Sequence, residues 1–336
     1  MTRSDVLSFT DRGLFCAAGG FYIDPWRPVD RALITHGHAD HARPGHGQYL
    51  CTEAAAPVLK LRLGEVSVQT AAYGKRLRIG DATISFHPAG HVPGSAQIRV
   101  EVSGEVWVVS GDYKVAPDGL SEPFEPVRCH TFITECTFGL PVFRWAPQSE
   151  VMAEINAWWR ANRDAGRVSI LGAYALGKAQ RILAHLDTAI GPVLTHGAVE
   201  HVNEVLRAQG LPLPRTHRVT PETDAASARG AMILATPSAL GTPWARPFGA
   251  SAEAFASGWM RLRGVRRRRG YAKGFVLSDH ADWDGLNAAI GATGAERVYV
   301  THGYTQPFRR WLEEQGYDAG IVETAFAGED GGEEAE

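Results

Sequence analysis

Between Gly19 and about Glu135 the chain alternates short apolar runs with turn residues: FYID, RALIT, ATISFHP, AQIRVEV, EVWVVSGD and TFITE. Runs rich in Val, Ile, Thr and aromatics, bounded by Gly, Pro and Asp, predict strands. The period changes at Ser149. In SEVMAEINAWWRANRDAG, Val151, Met152, Ile155, Trp158 and Trp159 fall on one side of a helix that Gly166 would end. VSILGAY then predicts a strand, GKAQRILAHLDTAIG a helix, GPVLTHG a strand and VEHVNEVLRAQG a helix. Such alternation predicts a parallel-sheet α/β unit. KGFVLSD and ERVYVTHG are two further buried-strand candidates, separated by the helical WDGLNAAIGATG. The last nine residues, EDGGEEAE with the preceding Gly, are acidic and lack any apolar period, which predicts disorder.

Composition adds bounds. With 336 residues, 44% of them hydrophobic, the chain can bury a sizeable core and has the length of two domains. No apolar run reaches the roughly 18 residues of a membrane span. The opening MTRSDVLSFTDRG lacks the basic-then-apolar pattern of a secretory signal, so a cytoplasmic location and no membrane partner are expected. Cys16, Cys51, Cys129 and Cys136 show no C-x-x-C spacing, which argues against a disulfide framework and a thiolate zinc site. The net charge of −3 hides a segregation, with acid gathered in the tail and base in RLRGVRRRRGYAK.

Any metal must therefore sit on imidazole and carboxylate. THGHADH follows the apolar Ala32, Leu33 and Ile34, and a turn after a strand can converge His36, His38 and His41 on one point, with Asp40 adding an anionic oxygen. Such ligands without thiolate suit Zn²⁺ or Mn²⁺ in a hydrolytic site. Further candidates end apolar runs downstream. His91 lies in the tight loop HPAGHVPGSAQ. Asp112 ends VWVVSGD, where an unpaired buried carboxylate would be costly and a bridging role between two metals removes that cost. His302 ends VYVTHG in the same way and completes a seven-ligand, two-metal set. His46 and His87 lie close to these residues in sequence but outside the pattern.

THGHADH, AGHVPGS and VSGDY resemble successive motifs of the metallo-β-lactamase superfamily, and IDPW supplies Asp24 where that fold has a buried aspartate beside the metal-binding loop. FITECTFG, FVLSDHADW and the final VYVTHG resemble the three motifs of the β-CASP nucleases, carried here by Glu135, His280 and His302. Over nearly its whole length, including GLFCAAGGFYIDPWRPVDRALITH and GAYALGKAQRIL, the chain is most similar to bacterial DNA ligase-associated exonucleases, relatives of the Artemis-type repair nucleases. The resemblance implies a metallo-β-lactamase αββα sandwich with an inserted β-CASP α/β cap. The expected division is 1–145 for the first part of the sandwich, 146–262 for the cap, 263–327 for the second part and 328–336 for the acidic tail.

The same resemblance implies that His36, His38 and His91 hold one divalent metal, that Asp40, His41 and His302 hold the other, and that Asp112 bridges. Two such ions, Zn or Mn and roughly 3.5–4 Å apart, would supply a nucleophile and clamp phosphate oxygens. His280 would protonate the leaving sugar oxygen and Glu135 would orient it. The basic run Arg261, Arg263, Arg266, Arg267, Arg268, Arg269 and Lys273 is a candidate nucleic-acid contact, as are Lys178 at a loop-to-helix junction and Ser238 in ATPSALG.

The expected activity is a DNA exonuclease, 5′ to 3′ by analogy, acting on single-stranded or duplex ends in repair beside an ATP-dependent DNA ligase and a helicase. The alternative is RNA processing or degradation, because a histidine at the position of His302 is the mark of RNA-processing relatives. Thioester or lactam hydrolysis would leave Glu135, His280 and the basic run without a role. A dead, purely binding subunit would have lost ligands that this chain retains.

Overall fold

A computed structural model of the chain describes residues 5–268 and 273–322. It divides into two compact units, residues 5–144 with 280–322 and residues 145–268 with 273–279.

The first unit holds two sheets. One runs in the order Ser8–Thr10, Gly13–Cys16, Phe21–Ile23, Arg31–Leu33, Gln48–Thr52 and Val68–Ala71, antiparallel across its first three strands and parallel thereafter. The other runs Asp318–Ile321, Arg297–Gly303, Thr131–Cys136, Glu105–Val109, Ala96–Val102, Ala82–Pro88 and Leu77–Ile79. Phe21, Ile23, Leu33 and Leu50 from the first sheet pack with Ile84, Phe86, Ile98, Val100, Trp107 and Ile133 from the second. The opposite face of the second sheet, through Val106, Val108, Phe132, Val298 and Val300, covers Leu286 and Ile290 of the helix Trp283–Thr293 and Phe308 and Leu312 of the helix Thr305–Glu314. Ala32, Ile34, Tyr49 and Cys51 likewise turn outward onto the helix Ala56–Leu63. The layers are therefore helix, sheet, sheet, helix.

This layering explains the apolar runs. In EVWVV, Trp107 and Val109 enter the core between the sheets while Val106 and Val108 meet the helices, so alternate residues serve two cores and the strand is buried on both faces. Each such buried Val, Ile, Leu or Phe contributes about 1.5–3 kcal/mol relative to exposure.

The second unit carries one all-parallel sheet in the order His217–Arg218, Val193–Thr195, Met232–Ala235, Val168–Gly172, Ser251–Ala256 and Lys273–Phe275. Its helices include Gln148–Asp164, Lys178–His185 and Gly197–Ala208. Val151, Met152, Ile155 and Trp159 are the buried side of the first, as the spacing predicts, with Trp158 half-buried beside them. The second boundary falls at 279/280 and not at 262/263. The reason is Lys273–Phe275, which pairs with Ser251–Ala256 and so extends the inserted unit's sheet. KGFVLSD forms a strand only over its first three residues. The acidic tail lies outside the described residues. Among the described residues no helix is long and apolar enough to cross a membrane.

Candidate metal centre and its acid–base pair

Strand directions gather the candidate residues. The strands Ala82–Pro88, Glu105–Val109, Thr131–Cys136 and Arg297–Gly303 run the same way in one sheet, so the segments bearing His91, Asp112, Glu135 and His302 emerge at a common edge. The loop after Arg31–Leu33 brings His36, His38, Asp40 and His41 to them. Close approach at this edge requires glycine: Gly111 has φ +55°, and a Cβ there would lie 2.6 Å from Thr35 Cβ. Asp24 and His302 have φ of +41° and +54°, so two non-glycine residues at the centre sit in the left-handed region. Strain of this kind persists only where the surroundings over-determine it.

All seven candidate ligands come together. His36 Nε2 and His91 Nε2 each lie 3.1 Å from His38 Nδ1, and Asp112 Oδ2 lies 3.5 Å from the first and 3.8 Å from the second. His41 Nε2 stands 3.4 Å from Asp112 Oδ2 and 3.5 Å from Asp40 Oδ2, and His302 Nδ1 is 3.9 Å from Asp112 Oδ1. Asp112 thus belongs both to a group with His36, His38 and His91 and to one with His41 and His302, while Asp40 groups with His36 and His41.

The donor set fits divalent cations. Ligand atoms about 2.0–2.1 Å from one tetrahedral ion stand roughly 3.3 Å apart, close to the imidazole spacings here. His41 Nε2 is buried and lacks a hydrogen-bond partner of good geometry. Burial, followed by the neighbouring His41, lowers His36 well below the usual imidazole range, which leaves it neutral as a ligand must be. Burial raises Asp112, but His41, His280 and His36 together outweigh this and hold the carboxyl well below the ordinary value. Burial opposes a charge on His41, yet Asp112, Asp40 and Asp24 together push it well above the usual value. The carboxylates thus call for a cation at this point.

Asp24 orients His41. Its Oδ2 is 2.7 Å from His41 Nδ1, and it also accepts from Thr35 N–H at 2.8 Å and Thr35 Oγ1 at 2.6 Å. Thr35 was not among the sequence candidates. It opens the THGHADH motif, and its hydroxyl also touches His36 Nδ1 at 3.1 Å.

Beside this set stands a second pair. Glu135, wholly buried in the strand Thr131–Cys136, places its two oxygens 3.0 and 2.9 Å from His280 Nδ1. Tyr113 N–H, one residue past Asp112, donates to Glu135 Oε1 at 2.7 Å. The His280 ring lies 4.7 Å from that of His91. His46 and His87 stay apart: His46 accepts from Val29 N–H, and His87 contacts Ser85 and Glu125. The four cysteines are buried outside the ligand groups, and burial pushes Cys51 and Cys129 up to about 12.

The expected nucleic-acid contacts have other surroundings. Lys178 is 3% exposed, with Nζ 3.3 Å from Asp279 Oδ2 and 4.3 Å above the Tyr174 ring, so its charge is committed inside the second unit and does not meet phosphate at a surface. Arg181 shares Asp279 at 3.2 Å. Ser238 is exposed in the 3₁₀ turn Pro237–Ala239, its hydroxyl 3.0 Å from that of Thr236. Arg267, in the helix Arg263–Arg268, and Lys273 are exposed. Arg269 lies outside the described residues, as do the side chains of Arg266 and Arg268.

No family model matches the chain. A probable DNA ligase of Opitutus terrae is 29% identical over 314 residues, which is 92% of this chain and 30% of that protein. A ribonuclease of Thermus thermophilus is 29% identical over 196 residues, 50% of this chain and 45% of the relative. An RNase J-like protein of Methanocaldococcus jannaschii is 25% identical over 53% of the chain and 50% of its own length. The chain thus spans less than half of the first two relatives. A solved structure of a protein of unknown function from Enterococcus faecalis has the same fold, with a TM-score of 0.60 at 11% identity over 88% of this chain and 79% of that one.

The ribonuclease relatives are metallo-β-lactamase/β-CASP nucleases, the class whose motifs this chain's sequence resembles. The relative named a probable DNA ligase fits beside them, and its similarity extends over 92% of the chain.

Proposed function

We propose that the chain is a divalent-metal-dependent DNA exonuclease, working 5′ to 3′ on single-stranded or duplex ends during repair. We assign the helix–sheet–sheet–helix unit to the metallo-β-lactamase fold and the parallel-sheet unit to the β-CASP cap. The observation that carries the reading is the pairing, within one unit, of the seven-residue His/Asp set with the buried Glu135–His280 couple. A bare hydrolase of thioesters or lactams would have no use for the second.

His36, His38 and His91 would hold one ion and Asp40, His41 and His302 the other, with Asp112 shared. Bound there, Zn or Mn would supply Lewis acidity at phosphate oxygens and a nucleophile at neutral pH. Glu135, fixed by Tyr113 N–H, keeps the His280 ring in place, so that His280 can protonate the leaving sugar oxygen. The basic segment from Arg261 to Lys273 would bind the phosphate backbone, which makes activity fall with rising salt.

The DNA reading is supported by the ligase-named relative, in which a region like this chain is part of the same polypeptide. A nuclease that trims ends is a natural companion to strand joining. We therefore place the protein in the cytoplasm, with an ATP-dependent DNA ligase and a helicase as partners. A second reading, RNA cleavage, is favoured by the ribonuclease names of other relatives and by His302 beside Asp112.

Matched DNA and RNA oligonucleotides labelled at each end, with Mn²⁺ or Zn²⁺ and with Asp40→Ala as control, separate the two. Release of the DNA 5′ label as mononucleotide by the wild type alone supports the first reading. Preferential cleavage of RNA installs the second.

A further inference from the structure

The metal-binding loop over residues 36–42 has little regular structure to hold it. A backbone bond braces it internally, from Ala42 N–H to His38 O at 2.8 Å. A second brace comes from outside. Arg62, in the last turn of the helix Ala56–Leu63, sends Nη1 to Gly37 O at 2.6 Å and towards Ala42 O at 3.4 Å. Gly37 precedes His38 and Ala42 follows His41, so one guanidinium spans the segment that carries three of the seven candidate ligands.

The other end of this helix is tied to the other imidazole loop. Thr52 Oγ1 donates to Gly94 O at 2.7 Å and accepts from Ala55 N–H at 3.0 Å, just before the helix begins. Gly94 sits in the loop of His91 with φ +83°, so close to the helix start that a Cβ on it would fall 2.5 Å from Ala55 N. The helix body is anchored on the outer face of the first sheet through Ala56 and Leu59. One short, anchored element therefore touches both loops, whose His38 and His91 nitrogens stand 3.1 Å apart.

We infer that the helix Ala56–Leu63 is a strut that sets the spacing of the two imidazole-bearing loops, with Arg62 as the positioning residue that determines how tightly the centre holds its cations. The inference rests on reading the His/Asp set as a metal centre. Charge and geometry act in opposite senses here. A guanidinium near Asp40 repels an incoming cation, so its charge alone would weaken metal binding. Both contacts come from one nitrogen, Nη1, which the guanidinium holds in its plane one bond further from the backbone than a lysine Nζ. That reach and rigidity preorganise the loop and strengthen binding. The strut requires that geometry prevail.

The test uses the full chain with Arg62→Lys and Arg62→Gln. Divalent affinity is measured by chelator competition with Mn²⁺ or Zn²⁺, and ligand geometry by the visible absorption of the Co²⁺-loaded protein. Loss of a partner that orients metal ligands costs 10–100-fold in affinity. We expect Arg62→Lys, which keeps the charge and loses the reach and planar rigidity of the guanidinium, to fall by that factor and to alter the Co²⁺ bands. Wild-type affinity in Arg62→Lys with tighter binding in Arg62→Gln would show a purely electrostatic residue and overturn the strut. Lowered melting temperature with unchanged affinity and bands would reduce Arg62 to a structural residue and overturn it equally. Thr52→Val tests the far end independently: it should weaken metal binding while Thr52→Ser restores it, and equal affinities in the two would remove that half of the strut. If the wild type itself takes up no divalent ion, the metal-centre reading fails before any variant is compared.

Discussion

Glu135 holds His280 with both carboxylate oxygens, 3.0 and 2.9 Å from Nδ1, from a strand position with no exposure to solvent. A carboxylate in that place fixes the plane of the imidazole and the nitrogen that faces it. General acid catalysis by a positioned side chain contributes about 10²–10⁴-fold. His280→Ala should lower kcat on an oligonucleotide by that order, and Glu135→Gln by a smaller factor, with metal content per chain unchanged in both. Parallel loss of bound metal in His280→Ala would instead make the residue a ligand, a role its grouping with Asp112 and Glu135 also permits.

Asp112 occupies a different position, shared between the two imidazole groups. Its oxygens lie 3.4–3.9 Å from His36, His41, His91 and His302 nitrogens. On the proposed assignment Asp112 would serve both ions, whereas Asp40 would serve one. Elemental analysis of purified protein should find that Asp112→Ala loses both metals and Asp40→Ala about one. Equal loss in the two variants would contradict the bridging role.

How much of this could be read from the chain depends on whether a residue works through its own neighbours in sequence. His36, His38, Asp40 and His41 are legible because one turn presents them together. His91, Asp112 and His302 are legible because each ends an apolar run, and parallel strands deliver such ends to one edge. Arg62 is not legible: a basic residue in the last turn of a helix is the ordinary complement to the helix dipole, and only the fold turns it onto Gly37 O and Ala42 O. Lys178 misleads for a related reason. It stands at a loop-to-helix junction suited to phosphate, but Asp279, about a hundred residues later, pairs with it out of solvent. The boundary at 279/280 was hidden because three strand residues after an arginine run look the same whichever sheet they join.

The inserted unit has its own buried carboxylate, and this gives a pH prediction. Glu200 accepts from the hydroxyls of Thr195 and Thr216, from Asn203 Nδ2 at 3.2 Å and from Arg207 Nη1 at 2.8 Å. Burial acts to raise its pKa, but these hydrogen bonds outweigh burial and lower it below the usual carboxylate value. The stabilisation is therefore complete above the unfolded value of about 4.3 and is lost as pH falls through the lower, folded value. Hydrogen bonds to a charged group are worth about 1.5–3 kcal/mol, so Glu200→Gln should destabilise the protein by that order at pH 7. Denaturant melts across pH 3–7 should show the gap to the wild type closing at the acid end. A constant gap would mean that the amide's packing, and not the charge, sets the cost.

Asp24 offers a test of the metal centre that leaves every proposed ligand in place. Its carboxylate can only accept hydrogen bonds, and Thr35 already donates to it twice. His41 Nδ1, at 2.7 Å, must therefore carry a proton, which leaves Nε2, facing Asp40 and Asp112, as the nitrogen that a bound metal would take in place of a proton. Asn in the same position would present an amide donor to at least one of these partners and free the ring to rotate or change tautomer. Loss of such a hydrogen bond behind a metal-binding imidazole weakens affinity about 10–100-fold. Asp24→Asn should accordingly need that much more Mn²⁺ to reach half-maximal activity, while kcat at saturating metal stays near the wild-type value. If kcat falls and the metal requirement does not move, Asp24 acts on the reaction itself and His41 is not the ligand that it orients.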